Sequence, residues 1–409
     1  MGGHMLSVSG LCSLPRTPQQ PLAPAHEVAI PIDDMPVPGW VRLGPEQDCQ
    51  AVFLVQEGYW CLTDFTGRLT TPAWRNAQGQ WSTGPVAQWR AIKDSLPAPT
   101  RFRSVQLPRL PAFPTNLSPI PANIHYLWLG HAVPSTRLIE NIAHNCRLST
   151  RYVSTLHVDV QDATVLAQIR EQFQRAAPSL VITPLAGTPF FSGFSQSDNY
   201  LQYTTVMQGP GRNYSAASDV LRYPLTHHHG GIYMDVDDTF RVDINDIELL
   251  AAPNDLLLGP KVSEAMTGFS GYNSSIFASH PNNPLLEEIS KEMQVRFAQS
   301  DGFFTKARPY VDGQAVLTNP QEAVMDMPAY ARELFRLTGP SVLNDVIAVE
   351  RADYYRLCFN AEPRTNISVT HQLWDQTYVD QQMALIDHYF PFNRKAEVDI
   401  GHEHSWFNT

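Results

Sequence analysis

The stretch that decides the fold is "YSAASDVLRYPLTHHHGGIYMDVDDTF", residues 214–240. Its first half predicts a helix, in which Asp219 and Arg222 are three residues apart and project from the same side beside an apolar stripe. Gly230 can end that helix in the left-handed conformation, and Gly231 allows a close backbone approach. The apolar strand that follows leads into three aspartates, and like charges so close together require a positive partner among them.

Two of these aspartates have the spacing of a metal site. In a strand, Asp235 and Asp237 point to the same face, so their oxygens can serve one Mg²⁺ or Mn²⁺, and a bound diphosphate would complete the shell. The alternative is a solvated strand end. We interpret Asp238 as a turn or helix-capping acid. The three consecutive histidines before the glycines diverge by about 100° each on a helix and do not converge on one ion.

One residue conflicts with the predicted helix. Pro224 has no backbone N–H, and its ring clashes one turn back along the helix. We therefore expect a kink or a restart near Tyr223.

Strands and helices alternate from Asn123 onward. The predicted order is strand, helix, strand, helix, with sequences IHYLWLG (124–130), STRLIENIAHNCRL (135–148), YVSTLHVDV (152–160) and ATVLAQIREQFQRA (163–176). This alternation predicts an α/β fold with helices on both faces of a sheet. Ligands of such open sheets bind beyond the carboxyl ends of the strands, so the loops after Leu129, Val160 and Val236 should share one crevice.

Composition divides the chain into four parts. Residues 1–36 are interpreted as a cloning scar and a flexible proline-rich leader. Short β-type runs with Gly and Asn turns predict a small β-rich module over 37–96. Seven prolines between positions 97 and 121 indicate a linker over 97–121. The α/β domain is expected over 122–409.

Charge and cysteine content exclude some partners. The net charge of −11 disfavours binding to nucleic-acid phosphates. The five cysteines are scattered without a CxxC pair, which fits neither a disulfide framework nor a zinc knuckle. No run approaches the roughly 20 apolar residues of a membrane span. We expect a monomer in a reducing compartment.

Five elements in order give the chain a specific resemblance. They are IHYLWLG, the Asp219 and Arg222 helix, the GGIYMDVD strand, GYNSSIFASHP (271–281) and HEHSW (402–406). Together they resemble the GT-A glycosyltransferases of the DXD sugar-binding-region superfamily, which includes clostridial glucosylating toxins, related toxin domains and Och1-like mannosyltransferases. The resemblance covers residues 122–409 and implies a Rossmann-like mixed sheet.

The resemblance implies roles for individual residues. Trp128, with Leu129 beside it, would bind the donor and stack on uracil. Asp219 and Arg222 would hold the sugar hydroxyls and the phosphate side of the scissile bond. Tyr233 would belong to the donor site. Asp235, the first DXD aspartate, would be shared between the ribose and a metal-bound water, and Asp237 would be the direct metal ligand. Asn273 would face the sugar and the reaction centre.

The tail is expected to complete the site. By resemblance, Ser405 and Trp406 reach the metal and the β-phosphate. His402 and His404 are further candidate metal ligands, and the choice among them and Glu403 stays open. The ordinary interpretation of such a tail is a frayed chain end.

The predicted function is therefore metal-dependent, retaining transfer of a hexose or N-acetylhexosamine from a UDP-sugar, with UDP-glucose and UDP-N-acetylglucosamine as candidates. The expected acceptor is a hydroxyl of a host protein, with a Rho-type small GTPase as the family-level expectation. A secreted or injected bacterial toxin acting in the host cytosol would have this activity. The alternatives are a polysaccharide or lipid-linked-sugar transferase and a non-catalytic sugar-nucleotide or metal-binding module.

Overall fold

The computed structural model of the chain forms two compact units, residues 1–111 with 360–379 and residues 112–359 with 380–409. The residues described are 27–31, 40–42, 48–54, 59–63, 69–96, 100–106, 110–259, 261–264, 267–309, 327–354 and 376–401.

The first unit is rich in β-structure, as predicted. Its main sheet is antiparallel with the order β2-β3-β4-β5-β6, and β1 pairs separately with β7. Buried Trp60, Trp74 and Trp89 supply apolar surface. The elements are β1 (Glu27–Pro31), β2 (Trp40–Arg42), β3 (Asp48–Leu54), β4 (Tyr59–Thr63), β5 (Leu69–Arg75), β6 (Trp81–Thr83), α1 (Val86–Ile92) and β7 (Phe102–Gln106).

The β1–β7 pair falls in segments that we interpreted as leader and linker. Glu27 lies opposite Gln106 and Pro31 opposite Phe102, in an antiparallel register. The many prolines around both segments concealed two short runs, EVAIP and FRSVQ, whose backbone groups satisfy each other across the pair.

The second unit is built on a six-stranded sheet. Its elements in chain order are β8 (Ser118–Pro119), β9 (Asn123–Leu129), α2 (Thr136–Leu148), β10 (Val153–Asp159), α3 (Ala163–Ala176), β11 (Val181–Pro184), α4 (Pro189–Phe194), α5 (Asn199–Met207), α6 (Tyr214–His229), β12 (Gly231–Met234), β13 (Thr239–Phe240), β14 (Leu250–Ala251), β15 (Leu256–Leu258), β16 (Lys261–Glu264), β17 (Phe269–Tyr272), β18 (Ile276–Ser279), α7 (Pro284–Ala298), α8 (Met327–Leu337), α9 (Pro340–Glu350), α10 (Gln376–Tyr389, most of which lies in this unit), α11 (Pro391–Arg394) and β19 (Val398–Asp399).

The sheet is mixed. Its strand order is β11-β10-β9-β12-β18-β15, in which the first four strands are parallel and β18 runs antiparallel to both of its neighbours. Both sides are covered by helices. On β9, Ile124 and Tyr126 join the core cluster that includes residues of α2 and α3, whereas the ring of His125 contacts His229 of α6. The predicted α/β class is therefore confirmed.

The first strands and helices of this unit match the sequence pattern closely. The predicted N-cap of α2 is confirmed, because Ser135 Oγ accepts a hydrogen bond from the Leu138 N–H. The core on this side combines Ile142 of α2 and Phe173 of α3 with the even-numbered residues of β9 and β10. A periodic apolar pattern was enough to find these elements because they are local in sequence.

Helix α6 does not restart at Pro224. It runs as one element over Tyr214–His229, with Pro224 inside it. An interior proline costs about 3 kcal/mol. Burial of Val220, Leu221 and Leu225 within the same helix offsets that cost, so tertiary packing overrides the local rule.

Among the described residues, no helix is both long and apolar enough to cross a membrane.

Candidate active site

The candidate site lies where the strand order of the sheet reverses. The chain passes from β9 outward to β10 and β11 and then returns to β12 on the other side of β9. At such a switch point the carboxyl ends of parallel strands leave a crevice for ligands. The DXD residues follow β12 directly and line the cleft described below, as predicted for the loop after Val236. No residue of the loops after Leu129 and Val160 lines it, so the three predicted loops do not share this cleft.

The DXD aspartates lie in a turn, which corrects the predicted strand placement. Strand β12 ends at Met234, and the turn is closed by a 3.2 Å hydrogen bond from the Asp238 N–H to the Asp235 carbonyl. Helix α2 supports it from below, since Asn141 donates to the Asp237 carbonyl and Asn145 to the Asp238 carbonyl. These side chains of α2 therefore hold the backbone of the turn in place.

The predicted positive partner of the aspartates is Arg222. Its Nη2 lies 2.7 Å from Asp219 Oδ1 and 3.2 Å from Asp235 Oδ1, and its side chain is 3% exposed. Burial raises the pKa of Asp219 to about 7 and that of Asp235 to about 6, and in both cases the Arg222 guanidinium opposes the rise. One guanidinium thus joins helix α6 to the DXD turn.

Tyr233 acts through Asp235. Its hydroxyl donates to Asp235 Oδ1 at 2.6 Å, and its ring is buried beneath the Arg222 guanidinium, 4.8 Å from the ring centre. In this structure Tyr233 therefore orients the first DXD carboxylate. A direct contact between its ring and a donor remains a prediction.

The turn between β17 and β18 forms another wall of the site. The Ser274 carbonyl accepts from Arg222 Nη1 at 2.6 Å, and the Asn273 amide donates to Ser275 Oγ at 2.8 Å. Asn273 is half-buried, so part of its amide faces the cleft.

The structure brings all five predicted catalytic residues to one cleft of about 350 Å³. Strand β16, the α8–α9 junction and the chain after β19 supply its other walls. The described lining residues are Ser215, Asp219, Arg222, Asp235, Asp237, Asp238, Val262, Ser263, Glu264, Asn273, Ser274, Ser275, Leu334, Phe335, Gly339, Pro340, Ile400 and Gly401.

The other predicted residues are placed differently. Trp128 is half-buried at the end of β9, and its indole N–H donates to the Ala132 carbonyl at 2.8 Å; neither Trp128 nor the buried Leu129 lines this cleft. The tail candidates lie outside the described residues; these are His402, His404, Ser405 and Trp406.

The charge of the cleft suits a cation. Its described lining contains five acidic side chains and one basic side chain, Arg222. A diphosphate could not enter such a negative cleft without further positive charge. Among the described residues no group of three or more His, Cys, Asp or Glu side chains could hold a metal ion alone. Asp235 and Asp237 offer carboxylate oxygens, which Mg²⁺ and Mn²⁺ prefer as ligands, and a diphosphate could supply others.

The double glycine serves packing between strands. Gly230 has φ of +64° and Gly231 of +104°, which glycine adopts readily. A Cβ on Gly231 would lie 2.6 Å from the Asn123 carbonyl oxygen at the start of β9, and one on Gly230 would meet Pro281. The close approach that the double glycine allows is therefore to the Asn123 backbone and to Pro281.

Sequence reasoning missed several contacts to the predicted residues. The side chain of buried Asp238 accepts a hydrogen bond from the Gly401 N–H at 2.8 Å, so it also connects the turn to the chain after β19. Buried Thr338 donates to Asp219 Oδ2 at 3.1 Å. In the sequence, Thr338 begins the tripeptide TGP (338–340), which by itself predicts an ordinary turn.

A family comparison agrees with this geometry. Residues 191–251 match the model of the family described as "Glycosyltransferase sugar-binding region containing DXD motif". The matched segment contains Asp219, Arg222, Asp235 and Asp237. Residues 191–251 thus resemble the sugar-binding region of DXD glycosyltransferases, and this match supports the enzyme class predicted from the sequence.

Two curated relatives are toxins. Toxin Afp18 of Yersinia ruckeri serotype O1 is 24% identical over 234 residues, which are 54% of this chain and 11% of that protein. A protein named Toxin from Photorhabdus asymbiotica is 22% identical over 176 residues, which are 42% of this chain and 6% of that protein. The chain thus spans a small part of either relative.

Solved structures show a more distant likeness. The PaToxG glycosyltransferase aligns with a TM-score of 0.46 and 17% identity, over 67% of this chain and 87% of that chain. The UDP-bound glycosyltransferase domain from the YGT toxin aligns with a TM-score of 0.40 and 14% identity, over 58% and 78%.

Proposed function

We propose that the chain transfers a hexose or N-acetylhexosamine from a UDP-sugar to a hydroxyl group, with a divalent metal ion and with retention at the anomeric carbon. The observation that carries this proposal is the single cleft lined by Asp219, Arg222, Asp235, Asp237 and Asn273. An acidic cleft with one buried guanidinium suits an anionic donor that arrives with its cation.

Each part of the cleft has a proposed role. Asp235 and Asp237 would hold Mn²⁺ or Mg²⁺, which when bound neutralises charge that develops on the UDP leaving group. Arg222 would bind the phosphate side of the scissile bond while keeping Asp219 and Asp235 in place. Asp219 would hold sugar hydroxyls, and Asn273 would face the anomeric carbon.

The proposed transfer uses no covalent intermediate. The bond from the anomeric carbon to the phosphate oxygen breaks, and the acceptor oxygen bonds to the same face of that carbon. The acceptor proton moves to the departing phosphate oxygen, so atoms and charge balance. This route is economical because Asp219, the buried carboxylate of α6, is already engaged by Arg222 and Thr338.

Acceptor and setting rest on the resemblance and on the relatives. Because two relatives are named toxins, we propose a secreted or injected toxin domain that acts in the host cytosol on a host protein, with a Rho-type small GTPase as the first candidate. We propose that Trp128, Leu129 and the tail residues Ser405 and Trp406 complete the donor site. His402 and His404 are the further metal candidates.

Parallel labelling tests the proposal. The purified chain is incubated with Mn²⁺ and radiolabelled UDP-glucose or UDP-N-acetylglucosamine, first alone and then with a eukaryotic lysate. We expect slow donor hydrolysis alone, labelled protein with lysate, and loss of both with a chelator. Label in glycan or lipid instead of protein would favour the polysaccharide or lipid-linked alternative, and no turnover of any UDP-sugar would refute the proposed donor.

A further inference from the structure

A corner between α8 and α9, residues 338–340, forms part of the wall of the cleft. Gly339 and Pro340 line the cleft, and Pro340 begins α9. The corner is tightly packed, since a Cβ on Gly339 would lie 2.9 Å from the Phe335 Cα. No part of this corner belongs to the predicted site.

The first residue of the corner contacts Asp219. Thr338 is fully buried, and its Oγ1 lies 3.1 Å from Asp219 Oδ2. The nearest alternative acceptor, the Leu334 carbonyl, is farther away at 3.5 Å and already accepts from the Thr338 N–H. The hydroxyl proton is therefore directed at the carboxylate.

The two oxygens of Asp219 have different partners. Oδ1 pairs with Arg222 at 2.7 Å, whereas Oδ2 accepts from Thr338. Asp219 and Arg222 lie on the same helix, and their pairing alone leaves the carboxylate free to rotate about its terminal bond. A second donor on another element removes that freedom.

Helix α9 also supports the end of β17, which leads into the turn that carries Asn273. Asn344 accepts from the Tyr272 N–H at 2.9 Å and donates to the Tyr272 carbonyl at 2.8 Å, immediately before Asn273. The corner thus supports Asp219 through Thr338, and helix α9 supports the turn that carries Asn273 through Asn344. Such support is needed where geometry must hold to a fraction of an ångström.

We propose that Thr338 is a positioning residue whose hydroxyl fixes the Asp219 carboxylate in the orientation from which it holds the donor sugar. This inference rests on the proposed function. Thr338 touches no substrate; it acts through Asp219.

Three variants test the inference. Thr338→Val keeps the shape but removes the donor, and Thr338→Ser keeps the hydroxyl. Thr226→Val is the matched control, because Thr226 is equally buried but its hydroxyl bonds the Arg222 backbone carbonyl. The measurements are kcat and KM for UDP-sugar hydrolysis with Mn²⁺, the Mn²⁺ dissociation constant and the melting temperature.

We expect kcat to fall about tenfold to a hundredfold in Thr338→Val, the range for a lost hydrogen bond to a charged group. KM and Mn²⁺ affinity should change little, because the diphosphate and the DXD turn are untouched. Thr338→Ser should recover most of kcat. Thr226→Val should lose similar melting temperature with kcat within about twofold of the parent.

Two results would overturn the inference. One is a Thr338→Val protein with a kcat within about twofold of the parent. The other is an equal loss in Thr338→Val, Thr338→Ser and Thr226→Val, which would mean packing alone. If the parent turns over no UDP-sugar, the proposed function fails separately. A crystal structure of Thr338→Val then decides, since an unrotated Asp219 carboxylate contradicts the inference and a rotated one supports it.

Discussion

At the scale of single residues, the site depends on one buried guanidinium. Arg222 contacts Asp219, Asp235 and the Ser274 carbonyl, which belong to a helix and two different turns. A buried charge is tolerated only when it is paired and hydrogen-bonded, and removing one partner leaves the others uncompensated. The aspartates and Arg222 therefore stabilise the same arrangement that they would use on a donor.

Replacing Asp235 and Asp237 together by Asn tests the metal assignment. The change preserves size but removes both anionic ligands, so donor hydrolysis with Mn²⁺ should fall by at least about a hundredfold. Circular dichroism should show an intact fold. Asp246→Asn is the control, since that side chain is 93% exposed. A folded double variant with parental turnover would exclude the metal role.

Trp128→Ala tests the base platform. The Ala132 carbonyl already holds the indole N–H, so the ring is fixed before a donor binds. Stacking is worth about 1 to 3 kcal/mol per base and persists in the transition state, so the donor KM should rise more than kcat falls. Steady-state kinetics with UDP-glucose measures this. An unchanged KM with a lower melting temperature would assign Trp128 to the core alone.

What sequence could predict at this scale follows from separation along the chain. The sequence places Asp219 and Arg222 on the same side of one helix because residues three apart are neighbours there, and in the structure they form an ion pair. Thr338 reaches Asp219 from 119 residues away, and no local pattern specifies that contact. We interpreted Asp238 as a turn acid because Gly401, whose N–H donates to its side chain, lies 163 residues further along the chain.

At the scale of elements, β19 and Gly401 contact the residues that follow the DXD motif, and we call these contacts the clasp. Strand β19 pairs with β13, with Thr239 opposite Asp399, and Arg241 forms an ion pair with Asp399. The next contact is the hydrogen bond from the Gly401 N–H to Asp238. The DXD turn is thus held by α2 on one side and by this clasp on the other.

Gly401→Ala tests the clasp. A Cβ at this position would lie 2.2 Å from Asp237 Cγ and Oδ2, so the carboxylate or the strand must move. We expect Mn²⁺ affinity to fall about tenfold or more, because small displacements of a preorganised group cost large factors. Titration calorimetry with Mn²⁺ and UDP measures it. Gly193→Ala, where a Cβ meets nothing within 4 Å, is the control, and equal affinities in both variants would contradict the expectation.

The predicted elements agree with the structure where a local apolar pattern specifies them, and they differ from it where tertiary packing specifies them. Helices α2 and α3 show a regular apolar period that faces the core, and strand β9 is an apolar run buried on both faces. The uninterrupted helix through Pro224 depends on tertiary burial, which the local rule for proline ignores. The turn at Asp235 depends on side chains of α2, so the strand was extended too far.

At the scale of the whole molecule, the second unit contains a buried histidine cluster between its sheet and α6. His125 Nδ1 lies 3.0 Å from His157 Nε2, and His125 Nε2 contacts the Gly230 carbonyl. His229 packs its ring against both of the other rings. Burial lowers the pKa of His125 to about 4 and that of His157 to about 2, so both rings are neutral in the folded protein.

Because burial lowers the pKa of His125 and His157, we expect the folded protein to lose stability in acid. Below pH 6.5 the unfolded histidines take up protons that the folded ones refuse, so this contribution is complete above pH 6.5 and declines as the pH falls towards 4. For His125 the loss is on the order of 3 kcal/mol. The raised pKa values of Asp219 and Asp235 act in the opposite direction. A variant comparison separates the two.

Thermal melts between pH 7 and pH 4.5 measure the effect. Gln can still donate to the Gly230 carbonyl but does not titrate, so His125→Gln should show a shallower fall of melting temperature with acid than the parent. Exposed His131→Gln should follow the parent. Parallel curves for all three proteins would show that the cluster does not govern acid stability.

The clasp between β13 and β19 joins two segments that are synthesised far apart in time. A chain emerging from the ribosome presents the DXD turn long before residues 398–401 exist, and the β13–β19 pair closes only after nearly the whole unit has been translated. Pairing over such a long stretch of chain is slow to nucleate. If the proposed function holds, a chain translated only as far as the DXD turn would lack the Gly401 contact to Asp238, and we expect no turnover until β19 has paired with β13.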